Sequence, residues 1–132
     1  MKVMTKVLVV DDQKPFRRAA TAVVAMTPGF DVIGEAETGE RAVELTDQLV
    51  PELVLMDVKL PGISGIEATR QLVAAHPDTV VVLLSTYDLD ELPGAETSGA
   101  LSYVAKDHFG PDVLADIWAR RQELRTTGFA AA

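Results

Sequence analysis

The stretch that decides the fold is Lys6-Val7-Leu8-Val9-Val10-Asp11-Asp12. Its apolar residues follow one another without alternation, which is typical of a strand covered on both faces, as in a parallel sheet. Beyond it the apolar residues recur at helical spacing until Pro28-Gly29, and they are Phe16, Ala19, Ala20, Val23 and Val24. A buried strand followed by an amphipathic helix is the first unit of an α/β fold.

Strand and helix continue to alternate along the chain. Further strands are predicted at 30–36, 53–56, 79–84 and 102–105, and further helices at about 39–50, 65–76 and 111–124. A fourth helix over 88–98 is the irregular one, because Pro93-Gly94 should break or shorten it. Right-handed crossovers then predict a doubly wound, five-stranded parallel sheet flanked by about five helices in three α/β/α layers.

Composition limits the function classes. The chain has 132 residues, and its 12 basic against 20 acidic residues give a net charge of −8. That charge argues against direct contact with nucleic acid, which needs clustered Lys and Arg. The longest aliphatic run, 80–84, is far too short for a membrane span, and no signal peptide opens the chain, so we expect a cytoplasmic protein. With no cysteine, disulfides and thiolate chemistry are excluded.

Polar residues follow four of the predicted strands. Because the carboxyl ends of parallel strands meet at one edge of a sheet, we expect these side chains to converge. They are Asp11, Asp12, Asp57, Ser85, Thr86 and Lys106. Three carboxylates in one cleft repel each other unless a cation neutralises them, and Mg²⁺ prefers such oxygen ligands. The set suits phosphoryl transfer, with Asp57 as nucleophile and with Lys106 and Ser85 on the phosphoryl oxygens.

Each of these residues also has an ordinary local explanation. An Asp11-Asp12 pair after a strand is more often a helix cap, and Ser85 alone would be one too. Asp57 before Pro61-Gly62 would be a turn residue, and Lys106 alone would be a solvated charge. What points specifically to a phosphoryl-transfer site is that all of these residues are predicted to lie at one edge of the sheet. His76 and His108 are expected to be structural or exposed to solvent, because the sequence puts no second ligand at metal spacing beside either.

Four segments carry a family resemblance. They are 7–12 (VLVVDD), 55–62 (LMDVKLPG), 83–88 (LLSTYD) and 99–107 (GALSYVAKD). From about Lys6 to Leu124 the chain resembles the receiver domain of two-component response regulators, which has a CheY-like or flavodoxin-like fold. The resemblance covers nearly the whole chain, and the four segments together are highly specific.

The resemblance implies a role for each matching residue. Asp57 would accept a phosphoryl group from a sensor histidine kinase. Mg²⁺ would be held by Asp11, Asp12, Asp57 and the carbonyl of Lys59. Lys106 and Ser85 would contact the phosphoryl oxygens, and the switch would comprise Ser85, Thr86 and Tyr103. A receiver assists its own phosphorylation and slow hydrolysis, so the domain would be regulatory and not an enzyme with a turnover substrate.

The segments at 85–88 and 106–107 resemble the LuxR or NarL type of regulator, whose receivers usually precede a helix-turn-helix DNA-binding domain. We therefore expect a receiver domain over 1–125, and a disordered tail or the start of a linker over 126–132, leading to a C-terminal output domain outside this chain. Homodimerisation on phosphorylation is a further expectation. The sequence leaves the isomer of the Lys106–Asp107 peptide bond open.

Three other functions are compatible with parts of this pattern. A stand-alone or phosphorylation-independent protein-binding module remains open, because segment 85–99 departs from the family pattern. A Mg²⁺-dependent phosphatase of the haloacid dehalogenase type expects a second Asp two residues after the nucleophile, where Lys59 stands. A flavodoxin-like flavin carrier needs a phosphate-binding loop after the first strand, where Asp11-Asp12 would repel phosphate.

Overall fold

A computed structural model describes residues 3–131 as a parallel sheet covered by helices on both faces. The strands are β1 (Thr5–Val10), β2 (Phe30–Ala36), β3 (Leu53–Asp57), β4 (Val80–Ser85), β5 (Ser102–Ala105) and β6 (Ala130–Ala131). Their order is β2-β1-β3-β4-β5-β6, and every neighbouring pair is parallel. The predicted five-stranded doubly wound sheet is confirmed, with a short sixth strand added at its edge.

Five α-helices connect or follow these strands in the described part of the chain. They are α1 (Lys14–Ala25), α2 (Gly39–Leu49), α3 (Gly65–Ala75), α4 (Pro111–Ala119) and α5 (Arg121–Thr127). Helices α2 and α3 each begin after a capping side chain. The Thr38 hydroxyl accepts a hydrogen bond from the Arg41 amide at 3.0 Å, and the Ser64 hydroxyl accepts one from the Glu67 amide at 3.2 Å. No helix in residues 3–131 has the length and apolar content needed to cross a bilayer.

The sheet separates two apolar clusters. Alternate residues of one strand enter opposite clusters, as Leu8 and Val10 pack with the α2 and α3 side while Val7 and Val9 pack with the α1 and α4 side. Both faces of the central strands are therefore buried. This is why their sequences are continuously apolar and show no alternation.

The segment expected to form an irregular fourth helix contains no α-helix. A single 3₁₀ turn, Leu89–Glu91, is followed by turns as far as Gly99. Pro93 has no amide hydrogen to continue a helix, and Gly94 takes a positive φ of 87°. Leu92 nevertheless packs into the core at 3% exposure. Burial and short-range turn hydrogen bonds, such as that from the Leu92 amide to the Leu89 carbonyl at 3.0 Å, hold the segment in place of an α-helix.

The C-terminal region differs from expectation in two ways. The helix predicted over 111–124 is divided at Arg120, where the guanidinium of Arg121 takes the carbonyl of Trp118 as its acceptor at 2.7 Å. The disorder expected over 126–132 is not seen in residues 126–131, because α5 extends to Thr127 and β6 pairs with β5. Ala132 lies outside the described residues. No described peptide bond is cis, so the Lys106–Asp107 bond is trans.

Candidate functional site

Three carboxylates meet at the carboxyl edge of the sheet. Asp57 is the last residue of β3, and Asp11 and Asp12 directly follow β1. One oxygen from each of the three lies within 4.8 Å of the others. Lys106, which follows β5, places its Nζ 2.8 Å from Asp11 Oδ2 and 3.3 Å from Asp57 Oδ1. The predicted convergence of these side chains is therefore seen in the structure.

The backbone around this cluster is built for close approach. The Asp11 side chain accepts a hydrogen bond from the Gln13 amide at 2.9 Å, which tightens the turn after β1. Beyond β3, the amide of Gly65 donates to the Val58 carbonyl at 2.8 Å. A Cβ at position 65 would lie only 2.0 Å from the Asp57 carbonyl oxygen. Glycine is thus required where α3 begins against the strand that ends in Asp57.

Burial makes Asp57 electrostatically unusual. Its side chain is 6% exposed. Burial and the neighbouring Asp11 carboxylate raise the pKa of Asp57 from 3.8 to about 7, although the Lys106 ammonium acts in the opposite direction. Without a further cation, a large fraction of this carboxyl group is protonated at neutral pH. A nucleophilic role would need additional positive charge beside it.

The cluster opens into a cavity of about 160 Å³. Asp12, Asp57, Lys59, Ser85, Thr86 and Lys106 are all among its lining residues. Two aromatic rings that were not predicted at the site, those of Phe16 and Tyr87, also line it, and each faces a lysine. The Lys106 Nζ lies 4.2 Å from the Phe16 ring centre, and the Lys59 Nζ lies 5.0 Å from that of Tyr87.

A hydrogen-bonded path joins Ser85 to Tyr103. The buried Ser85 Oγ accepts a hydrogen bond from the Tyr87 amide at 3.0 Å, and the Tyr87 carbonyl accepts one from the Tyr103 hydroxyl. Tyr103 itself is buried against the α2 and α3 side of the core. Residue 87 thus links the end of β4 to the side chain on β5. The side chains of Ser85 and Tyr103 are therefore connected through the backbone of one residue.

The donor set fits a hard divalent cation. Carboxylate oxygens are the ligands that Mg²⁺ prefers, and one or two protein carboxylates with retained waters are a typical site. Asp12 is exposed while Asp11 and Asp57 are buried, so an ion would reach the buried pair from the solvent side. Asp11, Asp12 and Asp57 would hold it, with the Lys59 carbonyl as the further predicted ligand. Added positive charge would also lower the raised pKa of Asp57.

One part of the α1 prediction was wrong. Phe16 and Ala19 are predicted on the inward stripe, but both are exposed, Phe16 to 39% over the site, and the buried residues of the helix are Arg17, Ala20 and Val24. Arg17 was missed as a functional candidate. The signal was present, since its spacing to Ala20 and Val24 is helical. An arginine on an apolar stripe is easily taken for a residue at its border.

Comparisons with known proteins agree with this geometry. The sequence profile of the family described as "Response regulator receiver domain" matches residues 7–118. "Response regulator GacA" of Pseudomonas syringae pv. syringae (strain B728a) is 42% identical over 104 residues, covering 78% of this chain and 49% of that protein. "Transcriptional regulatory protein DegU" of Brevibacillus brevis is 36% identical over 103 residues, covering 77% and 44%. The chain spans about half the length of the curated relatives it matches.

Solved structures show the same fold. A two-component response regulator of the LuxR family from Aurantimonas sp. SI85-9A1 superposes with a TM-score of 0.81 at 26% identity, covering 96% of this chain and 89% of that one. The signal receiver domain of NarL from Mycobacterium tuberculosis gives a TM-score of 0.81 at 25% identity, covering 91% of this chain and 98% of that one.

One sequence relative is an enzyme. A "Protein-glutamate methylesterase/protein-glutamine glutaminase 4" of Geobacter metallireducens is 39% identical over 89 residues, which are 67% of this chain and 26% of that enzyme.

Proposed function

This chain belongs to the response regulator receiver domain family, and we propose that its Asp57 accepts a phosphoryl group from a sensor histidine kinase in a Mg²⁺-dependent reaction. It is a receiver domain of a two-component response regulator. One observation carries the proposal: Asp57 lies buried beside the Asp11 and Asp12 carboxylates, with the Lys106 ammonium 3.3 Å from its Oδ1.

The chemistry follows from these groups. A carboxylate oxygen of Asp57 forms a new P–O bond while the P–N bond of the donor phosphohistidine breaks, and the leaving imidazole keeps the electron pair and takes up a proton. Lys106 lies where it would stabilise negative charge on the phosphoryl oxygens, and the Ser85 hydroxyl would donate to another of them. When bound, Mg²⁺ supplies positive charge that favours ionised Asp57 and offsets the charge of the phosphoryl group.

The hydrogen-bonded path from Ser85 to Tyr103 supports a conformational switch. If Ser85 turned toward the phosphoryl group, the hydrogen bond that its Oγ accepts from the Tyr87 amide at 3.0 Å would change. A resulting shift of residue 87 would alter the acceptor of the Tyr103 hydroxyl. Phosphorylation would thereby select between two arrangements of Ser85, Thr86 and Tyr103.

For the longer protein we propose transcriptional output through a C-terminal DNA-binding domain, with homodimerisation on phosphorylation. The similarity to "Transcriptional regulatory protein DegU" supports this, as does the LuxR-family structure that shares the fold. This part of the chain would be regulatory. Receiver sequences also occur in an enzyme, the methylesterase relative, so a catalytic output elsewhere in the longer protein is the matching alternative.

A phosphorylation-independent binding module is the second candidate. The observation that favours it is the segment 86–101, which has only a 3₁₀ turn where a helix was expected. A receiver without that helix could present a fixed surface to a partner. Both candidates predict a folded domain, but only the first predicts chemistry at Asp57.

The deciding experiment uses acetyl phosphate with Mg²⁺, followed by intact-mass measurement. We expect a mass gain of one phosphoryl group in the wild type, no gain in Asp57→Asn, and loss of the gain when EDTA is added. Exposed Asp31→Asn is the matched control and should be phosphorylated normally. A folded wild type that binds Mg²⁺ and shows no adduct would leave the binding module as the better conclusion.

A further inference from the structure

Arg17 is the buried cation that the proposed chemistry does not use. Its side chain is 11% exposed, although it lies in the first turn of α1 next to solvent. A guanidinium in such a place is stable only if its N–H groups find acceptors. The three hydrogen-bond acceptors of its guanidinium come from the region where β1 and β2 end.

The guanidinium donates in three directions. Its Nε lies 3.0 Å from Glu35 Oε1, one terminal nitrogen lies 3.1 Å from Glu37 Oε1, and the other lies 2.8 Å from the carbonyl oxygen of Asp11. The two glutamates are themselves exposed to solvent, at 48% and 69%. They hold the plane of the guanidinium, and the plane in turn aims one N–H at the Asp11 carbonyl.

That carbonyl belongs to the peptide that leads into Asp12. The other polar atoms of Asp11 are also engaged: its amide donates to the Ala36 carbonyl at 3.0 Å, and its carboxylate accepts from the Gln13 amide and from Lys106. Arg17 therefore fixes the remaining polar group of Asp11. Since the Asp12 carboxylate is exposed, its direction depends on how this peptide is held.

We propose that Arg17 is a positioning residue that sets the divalent-cation affinity of the Asp11–Asp12–Asp57 cluster by fixing the Asp11–Asp12 peptide, with Glu35 and Glu37 fixing its guanidinium. The inference rests on the proposed function, because it concerns the cation that the phosphoryl transfer would need. It extends that function by adding a residue that touches neither the cation nor the phosphoryl group.

Charge and geometry make opposite predictions for this residue. Arg17 is positive and close to a cation site, so by Coulomb repulsion alone its removal would strengthen cation binding. If it positions the Asp11–Asp12 peptide, its removal weakens binding. Groups that orient metal ligands typically change affinity by roughly 10- to 100-fold when they are removed.

The test is a Mn²⁺ titration of metal-free protein, followed by the loss of the free-ion electron paramagnetic resonance signal, without any phosphodonor. We expect Arg17→Ala to bind Mn²⁺ about tenfold more weakly than the wild type. Arg17→Lys keeps the charge and loses the three-directional geometry, so it should also bind more weakly. Arg18→Ala, on the exposed side of the same turn, removes an equal charge and should bind at least as tightly as the wild type.

Circular dichroism and thermal unfolding in EDTA monitor the fold of each variant. Unchanged Mn²⁺ affinity in both Arg17 variants, or tighter binding in Arg17→Ala with no change in Arg17→Lys, would overturn the proposal. Loss of folding even in Arg17→Lys would assign Arg17 to global stability and overturn it as well. The acetyl phosphate assay is run separately on the wild type, so a failure of Asp57 phosphorylation is distinguished from a failure of the Arg17 proposal.

Discussion

At the scale of single residues, the site is a balance of buried charges. Asp11 and Asp57 are each about 5% exposed, and the Lys106 ammonium lies within salt-bridge distance of both. The ammonium is also covered by the Phe16 ring, 4.2 Å from its Nζ. One positive charge does not neutralise two buried carboxylates and an adjacent third. Burial, together with this excess negative charge, raises the pKa of Asp57.

This imbalance predicts a pH-dependent stability. Because the pKa of Asp57 is about 7 in the folded protein and near 3.8 in the unfolded chain, the folded protein binds more protons between these values. The free energy of unfolding of metal-free protein should therefore fall as the pH rises from 4 to 7. Asp57→Asn should raise it by about 2 to 4 kcal/mol at pH 8 and by much less at pH 4. Urea unfolding in EDTA measures both.

Asp31→Asn provides the control for this comparison, because Asp31 is exposed on β2. It should change stability little at either pH. Equal stabilisation by Asp57→Asn at pH 4 and pH 8 would contradict the raised pKa.

At the scale of elements, two connections position the site, and they differ in the interactions that hold them. The loop from β3 to α3 is tight, and its close contact is the approach of Gly65 to the Asp57 carbonyl. The segment from β4 to β5 forms no α-helix and is held by short-range turn hydrogen bonds together with buried apolar side chains. The loop from β3 to α3 has no room for a Cβ atom at position 65, whereas the segment from β4 to β5 depends on a few buried apolar side chains.

Gly65→Ala tests the tight connection. Its new Cβ would lie 2.0 Å from the Asp57 carbonyl oxygen, so either α3 or the end of β3 must move. We expect the free energy of unfolding to drop by roughly 1 to 3 kcal/mol and phosphorylation of Asp57 to slow. Gly110→Ala is the matched control, because no atom lies within 4 Å of a Cβ built there and its φ of −156° suits any residue. Chemical denaturation of both variants measures the difference.

Leu92→Ala tests the segment from β4 to β5. Leu92 is 3% exposed in a segment without an α-helix and is the largest buried side chain that packs this segment against the α2 and α3 side of the core. Truncation should lower the free energy of unfolding by about 2 to 5 kcal/mol. Leu89→Ala, at a half-buried position of the same segment, should have a smaller effect. Equal effects at both positions would show that the segment is not anchored through Leu92.

At the scale of the whole molecule, net charge and cation binding are linked. The chain carries a charge of −8, and three of its acidic groups are gathered at one edge of the sheet. General self-repulsion is reduced by any salt. Specific binding at the acidic cluster is different, because it stabilises the folded state by mass action.

Magnesium should therefore raise the melting temperature at pH 8 beyond the effect of salt. At a concentration one hundredfold above its Kd, a ligand specific to the folded state adds about 2.7 kcal/mol of stability. Differential scanning calorimetry of the wild type in MgCl₂ and in NaCl of equal ionic strength separates the two contributions. Asp12→Asn should lose most of the MgCl₂ effect and keep the NaCl effect. Identical shifts in both salts would argue against a specific cation site.

The sequence by itself determined the sheet, the positions of four of the helices to within a few residues, and the edge on which the acidic residues meet. These features follow from short-range causes. Continuous apolar runs mark strands buried on both faces, Thr38 and Ser64 begin helices, and Asp57 ends a strand. Parallel topology then brings the strand ends to one edge without any knowledge of the contacts.

Tertiary structure alone decided the features that depend on residues far apart in the chain. The guanidinium of Arg17 is oriented by Glu35 and Glu37, 18 and 20 positions away, and the hydrogen bond from Tyr103 to the Tyr87 carbonyl spans 16 positions. The pairing of β6 with β5 gives no periodic signal in an alanine-rich tail. A sequence pattern reports what each segment prefers locally. Which partners it meets is decided by how the segments pack, because hydrogen bonds and burial at these positions are made across elements and not within them.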